Sequence, residues 1–241
     1  MKQVNKPQII AHRGFWKTEG SAQNSIKALQ LAGEAKFDGT EFDVHLTKDE
    51  VLIVYHDDEI NGVLIEDSYY RDIANYKLPN HEKIPTLEVY LEAAKNYPNL
   101  SLVIEIKSQN NLIHEEKAVK VLLQFIRDKD IDNQLEFISF SKTICTLLKK
   151  ENSKLKVSYL EGDLSPTEIK ALGLDGLDYD YNILIKNKHW IKEAHQLGLK
   201  TNSWTVNDQK IMKQLIDLNI EMISTDEPIL LYNMLNREVA E

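Results

Sequence analysis

Short runs rich in β-branched and aromatic residues alternate with longer amphipathic stretches from one end of the chain to the other. The runs at 8–12, 40–46, 101–107, 135–140, 156–160, 176–181, 200–206 and 221–225 predict eight strands. Between most of them, apolar residues recur at three- and four-residue intervals over 24–36, 87–96, 115–129, 142–151, 188–197 and 208–218. That spacing predicts helices with one buried face. Ser165-Pro166-Thr167-Glu168 carries the N-cap serine, first-turn proline and reciprocating glutamate of a capping box, and Gly33, Gly173 and Gly198 close helical runs. Regular alternation of strand and helix predicts a parallel sheet with helical crossovers. Eight strands suit a closed (β/α)₈ barrel, the TIM barrel, although an open doubly wound sheet shares the same local pattern.

One segment breaks the rhythm. After the strand at 40–46, Thr47-Lys48-Asp49-Glu50 lead into a second β-like run at 51–55 that ends at His56-Asp57. This predicts a barrel strand prolonged into a hairpin above the mouth. Residues 58–83, with Asn61-Gly62 and Pro79 among them, read as a short irregular insertion after the second strand, standing in for the usual crossover helix. No internal repeat and no Pro/Gly/Ser-rich linker divides the chain, so residues 1–241 are expected to form a single domain.

The length of 241 residues matches one α/β barrel. A formal charge of −9 argues against nucleic acid or an anionic membrane as partner. The same charge means that any bound phosphate must be held by a metal or a few placed cations. The one cysteine, Cys145, rules out an intramolecular disulfide and lies in the apolar pattern of 143–148, which makes it a core residue. Residues 1–7 lack the apolar run of a signal peptide, and no segment has the length of a transmembrane span, so a cytoplasmic protein is expected.

Candidate chemistry follows from parity. Glu41 and Asp43 are two apart on a strand, so their side chains leave one face, while Phe42 and Val44 face the helices. The acids' face would be the barrel interior, where unpaired carboxylates cost several kcal/mol. A cation resolves this, and oxygen ligands suit one Mg²⁺ or Ca²⁺. Glu105, with Lys107 two residues on, repeats the theme on the next barrel strand. The competing reading is a buried ion pair, Glu105 with Lys107 or Asp43 with Arg13. His12 ends the first strand, where barrel catalytic groups sit, and Gly14 allows a sharp turn behind it. His56 ends the hairpin beside Asp57, which could fix its tautomer; the two histidines suit an acid–base pair. His45 shares the parity of the acids but lies one layer higher. His81, His114, His189 and His195 read as surface or capping residues, and Asp226 before Pro228 as a helix start. Trp204 either faces the mouth or packs as core.

Taken in order, these pieces resemble the glycerophosphodiester phosphodiesterase family. The matching runs are His12-Arg13-Gly14, Gly39-Thr40-Glu41-Phe42-Asp43-Val44, Leu46-Thr47-Lys48-Asp49, His56-Asp57, Ile84-Pro85-Thr86-Leu87-Glu88, Glu105-Ile106-Lys107, Ser139-Phe140, Trp204-Thr205-Val206-Asn207 and Thr225-Asp226-Glu227-Pro228. The resemblance implies the barrel rather than the open sheet. It implies that Glu41, Asp43 and Glu105 hold one divalent ion, that His12 and His56 are the acid–base pair, and that Arg13 and Lys107 bind phosphate oxygens; Trp204 joins them as a substrate-binding candidate. The implied substrate is a small glycerophosphodiester. Attack by its glycerol 2-hydroxyl and hydrolysis of the cyclic phosphate would release glycerol 3-phosphate and an alcohol. Two alternatives stand beside this: lysophospholipase D-type hydrolysis of a bulkier diester, and a barrel that binds a phosphometabolite without turnover. One departure is clear: where the family usually has Pro-Glu-Asn-Thr, this chain has Ala22-Gln23-Asn24-Ser25, so a negative charge that could orient Arg13 or a metal-bound water is replaced by an amide, which is compatible with a weaker metal site or an unusual diester.

Overall fold

All eight expected strands form, and they close on themselves. The structure, a computed structural model, describes residues 6–127, 129 and 134–237. The first half runs β1 (Gln8–Ala11), α1 (Ile26–Glu34), β2 (Gly39–Leu46), β3 (Leu52–Val54), β4 (Glu59–Ile60), β5 (Val63–Leu64), α2 (Tyr70–Ile73), α3 (Leu87–Ala94), β6 (Ser101–Ile106) and α4 (Leu112–Ile126). The second half runs β7 (Leu135–Ser139), α5 (Lys142–Glu151), β8 (Val157–Tyr159), α6 (Pro166–Ala171) and β9 (Gly176–Asp180). It ends with α7 (Tyr181–Lys186), α8 (His189–Gln196), β10 (Lys200–Trp204), α9 (Gln209–Asp217), β11 (Met222–Thr225) and α10 (Pro228–Arg237). Parallel pairing proceeds β1-β11-β10-β9-β8-β7-β6-β2, and β1 also pairs with β2, so the sheet is a closed eight-stranded barrel. Residue 128 of the helix expected at 115–129, and residues 1–5 of the amino-terminal stretch, lie outside the described residues.

The alternation of β2 sorts its side chains as parity requires. Phe42 and Val44 join the cluster between sheet and helices, where the Phe42 ring lies 4.4 Å from that of Tyr90 on α3. The barrel interior is filled by Ile10, Val103, Ile138, Leu160 and Met222, with Phe140 and Trp204 packed against them. Cys145 is fully buried against the strands, as expected of a core residue. No described helix is long and apolar enough to cross a membrane.

Helix starts follow local chemistry. Ser25, Thr86, Asn111, Ser141 and Asp208 each accept a backbone N–H in the first turn of the helix that follows, and Ser165 and Glu168 complete the capping box of α6. Such caps contribute about 1 kcal/mol each. One expected stop differs. Gly33 lies inside α1, because a side chain there would collide with the Tyr97 ring, and the left-handed residue that ends the run is Lys36.

The irregular segment is an insertion, but it does not replace the crossover. β3 pairs antiparallel with the end of β2, from Val44↔Val54 to Leu46↔Leu52, which makes the expected hairpin. The crossover to β6 is α3, and the residues between add a satellite cluster of Ile53, Ile60, Ile65, Ile73, Leu78 and Ile84 with Ala22. The insertion therefore buries its own apolar residues beside the barrel mouth instead of covering the sheet.

Gly14 is the backbone position on which the mouth most depends. Its φ is +83°, and a Cβ there would lie 2.5 Å from the Ala28 Cβ and 2.9 Å from the Ala28 backbone carbon. Both the dihedral and the close approach to α1 exclude a side chain. Gly14→Ala is expected to lower stability by about 1–3 kcal/mol, read as a shifted urea midpoint at unchanged slope.

Candidate active site

The turn after β1 brings the first groups together. Arg13, a non-glycine residue, takes a left-handed φ of +55° immediately before Gly14. Two hydrogen bonds offset this strain: the Arg13 N–H donates to Glu41 Oε2 at 2.9 Å, and its carbonyl accepts from the Asn24 N–H at 3.0 Å. Asn24, also left-handed at φ +61°, donates from Nδ2 to Asp43 Oδ2 at 2.8 Å and accepts the Asp43 N–H at 3.2 Å. An asparagine suits both tasks, since it tolerates this conformation and carries both a donor and an acceptor. Nothing local in the sequence marks Asn24 as part of the site, because its partner Asp43 lies 19 positions away.

Asp43 and Glu105 stand directly opposite one another in the parallel register of β2 and β6. With Glu41 they offer carboxylate oxygens that all lie within 4.8 Å of one another. The three acids are 3%, 1% and 9% exposed for Glu41, Asp43 and Glu105, so solvent does little to screen them. Lys107 Nζ reaches Glu105 Oε1 at 2.9 Å and Asp43 Oδ1 at 3.2 Å, and Arg13 Nε lies 3.5 Å from Asp43 Oδ2. Both candidate ion pairs therefore exist, yet they leave three acids facing two cationic side chains.

The protonation equilibria record that deficit. Burial, then the charges of Asp43 and Glu105, pushes Glu41 well above the usual carboxylate range. Burial and the Asp43 charge, opposed by Lys107, raise Glu105 to about 7. Burial acts on Asp43 too, but Lys107 and Arg13 overcome it and hold this carboxyl below its ordinary value. Lys107 is raised despite its own burial, because Asp43 and Glu105 favour the ammonium. An all-oxygen set with surplus negative charge fits a hard divalent cation.

Two imidazoles have one nitrogen fixed by a carboxylate. His12 Nδ1 lies 2.8 Å from Asp226 Oδ1, leaving Nε2 3.9 Å from Glu41 Oε2. His56 Nδ1 lies 2.7 Å from Asp57 Oδ1, the partner expected from the sequence. A carboxylate can only accept, so each Nδ1 carries the proton and each Nε2 is left for other chemistry. Burial holds His56 below its ordinary value, partly offset by the Asp43 charge. His45 is lowered to about 4 by burial; its Nε2 lies 3.3 Å from the His56 carbonyl, so it supports the hairpin end.

Asp226 is not a simple helix start. It accepts from Trp16 Nε1 at 3.0 Å and from Asn207 Nδ2 at 2.9 Å as well as from His12. Burial alone would raise it, but His12 and these donors bring it down to about 2. Its position at the end of β11, beside β1 in the closed barrel, was the available signal. Trp204 packs on the interior cluster, its ring 5.5 Å from Phe140 and its Nε1 donating to the Asp178 carbonyl at 2.9 Å.

Buried acids and cations at the carboxyl ends of barrel strands put the chain in the class of barrel enzymes, whose active sites lie at that face. A family model described as the glycerophosphoryl diester phosphodiesterase family matches residues 12–230, and the chain belongs to that family. It is 28% identical to a glycerophosphodiester phosphodiesterase of Caldanaerobacter subterraneus subsp. tengcongensis, over 96% of this chain and 99% of the relative. The crystal structure of a glycerophosphodiester phosphodiesterase from Parabacteroides distasonis superposes with a TM-score of 0.96 at 42% identity, covering 98% of this chain and 99% of that one. An Oleispira antarctica phosphodiesterase in complex with sn-glycerol-3-phosphate shares the fold at a TM-score of 0.81 and 22% identity, over 95% of this chain and 97% of that one.

A carboxyl group raised to about 7 must lose its proton before it can bind a metal. Divalent-ion affinity measured by calorimetry is therefore expected to increase with pH through about 7, and Glu41, which is also raised, extends the increase. Below about pH 7, the apparent Kd should rise about tenfold per pH unit as Glu105 takes up a proton. A Kd independent of pH between 5 and about 7 would contradict the assignment of this acid as a ligand.

Proposed function

We propose that this chain hydrolyses glycerophosphodiesters to glycerol 3-phosphate and an alcohol, as a single-domain enzyme dependent on one divalent ion, Mg²⁺ or Ca²⁺. The observation that carries the reading is the pairing of two tautomer-fixed histidines with a buried site of three acids and two cations. Glu41, Asp43 and Glu105 would hold the ion. When bound, it supplies Lewis-acid polarisation of a phosphoryl oxygen and neutralises the surplus charge of the acids.

The residues divide the remaining work. Arg13 and Lys107 bind nonbridging phosphate oxygens and balance charge developing on them. His56, kept neutral by burial, takes the proton of the glycerol 2-hydroxyl as it attacks phosphorus. His12, held at Nδ1 by Asp226, gives a proton from Nε2 to the leaving alcohol oxygen. Water then opens the cyclic phosphate with the two roles exchanged. Trp204, beside Phe140 at the mouth, forms an apolar wall for the substrate. A bulkier diester is the second reading, favoured by Leu112 and Ile113, which are exposed on the first turn of α4, just beyond Lys107. The single buried Cys145 fits a reducing compartment such as the cytoplasm.

Release of glycerol 3-phosphate from glycerophosphocholine, with lysophosphatidylcholine assayed alongside, tests the whole scheme. Chelation should abolish turnover, and His12→Ala should lower kcat roughly 10²- to 10⁴-fold. Asp226→Asn should lower kcat at least about tenfold with KM little changed, because the ring loses its fixed tautomer. Turnover that survives thorough chelation would refute the metal-dependent scheme.

A further inference from the structure

Gln23 sits half-buried at the mouth, between Ala22 and the Asp43-binding Asn24. Its Oε1 accepts from Arg13 Nη1 at 2.8 Å. A guanidinium carries donors only, so the amide oxygen must be the atom that faces it. The orientation of the amide is thereby fixed, and both N–H groups of Nε2 point away from Arg13. Among the described residues, Gln23 makes no hydrogen bond through Nε2. The neighbouring Arg13 Nε is buried and faces Asp43 Oδ2 as an ion pair at 3.5 Å without a hydrogen bond. Amide donors left free beside a guanidinium describe a place suited to an acceptor that carries negative charge.

We propose that Gln23 Nε2 donates to a nonbridging phosphoryl oxygen, which makes Gln23 a third anion-binding group beside Arg13 and Lys107. The proposal rests on the phosphodiester reading of the same site. Charge supports it as strongly as geometry. Three carboxylates, two cationic side chains and one divalent ion leave a single positive charge, which matches the single negative charge of a phosphodiester.

Calorimetric binding of glycerol 3-phosphate to the metal-loaded protein tests this, together with KM and kcat for glycerophosphocholine and the melting temperature. Gln23→Ala is expected to weaken binding about tenfold, the low end of the range of a hydrogen bond to a charged acceptor. Gln23→Glu should weaken it further, beyond about tenfold, since it adds a like charge beside the phosphate. Both effects should fall on KM rather than kcat, as for a contact made equally in ground and transition states. The melting temperature of Gln23→Glu should not fall, because the new carboxylate pairs with Arg13; a purely structural role for Gln23 would not separate stability from affinity in this way. Gln23→Glu that binds glycerol 3-phosphate as tightly as the unsubstituted protein, while that protein turns over glycerophosphocholine, overturns the role of Gln23 alone. An unsubstituted protein that neither binds nor turns over overturns both readings.

Discussion

Glu41, Asp43 and Glu105 project into a barrel interior that is otherwise filled by Ile10, Val103, Ile138, Leu160 and Met222. Burying ionised carboxylates there is unfavourable unless each has a partner, and the neighbouring structure can be read as the set of partners. Asp43 receives the most: Asn24, Lys107 and Arg13 converge on it, and it alone of the three stays more acidic than usual. Glu41 receives a backbone N–H and a distant imidazole, and its carboxyl is pushed upward. The imbalance between these neighbours is what makes a divalent cation the natural completion of the site.

The same constraint explains the unusual backbone around the mouth. Arg13 and Asn24 both occupy left-handed conformations, and both use them to direct groups toward the acids of β2. Gly14 lets α1 approach closely enough to bring the 22–25 segment over the strand ends. Barrel closure supplies the last link. Because β11 lies beside β1, Asp226 comes within reach of His12 although 214 positions separate them in the chain. The carboxylate fixes the imidazole, and Trp16 and Asn207 fix the carboxylate.

Much of this was legible in the sequence, because much of it is periodicity. Alternation on β2 was enough to put Glu41 and Asp43 on one face, and Glu105 follows from the neighbouring strand's apolar run. The strand positions, the hairpin and the capping box at Ser165 came from the same local rules. What escaped depends on contacts distant along the chain. Asp226 looked like a helix start because its local neighbours are those of one, and only closure reveals its partner. Gly33 looked like a stop because nothing in the sequence tells that Tyr97 lies against it. The insertion was read as a substitute for the crossover helix because its own satellite core around Ile60, Ile65 and Ile73 has no simple period. The orientation of the Gln23 amide is likewise a tertiary fact, decided by Arg13.

The most direct measurement is a crystal structure grown with Mg²⁺ or Ca²⁺. An ion is expected between Glu41, Asp43 and Glu105, at about 2.1 Å in an octahedron for Mg²⁺ or about 2.4 Å with more ligands for Ca²⁺. Lys107 should then turn from Glu105 toward the space where phosphate binds. A structure at saturating divalent ion with no density between the three carboxylates, and with Lys107 still bridging Glu105 and Asp43, would contradict the account.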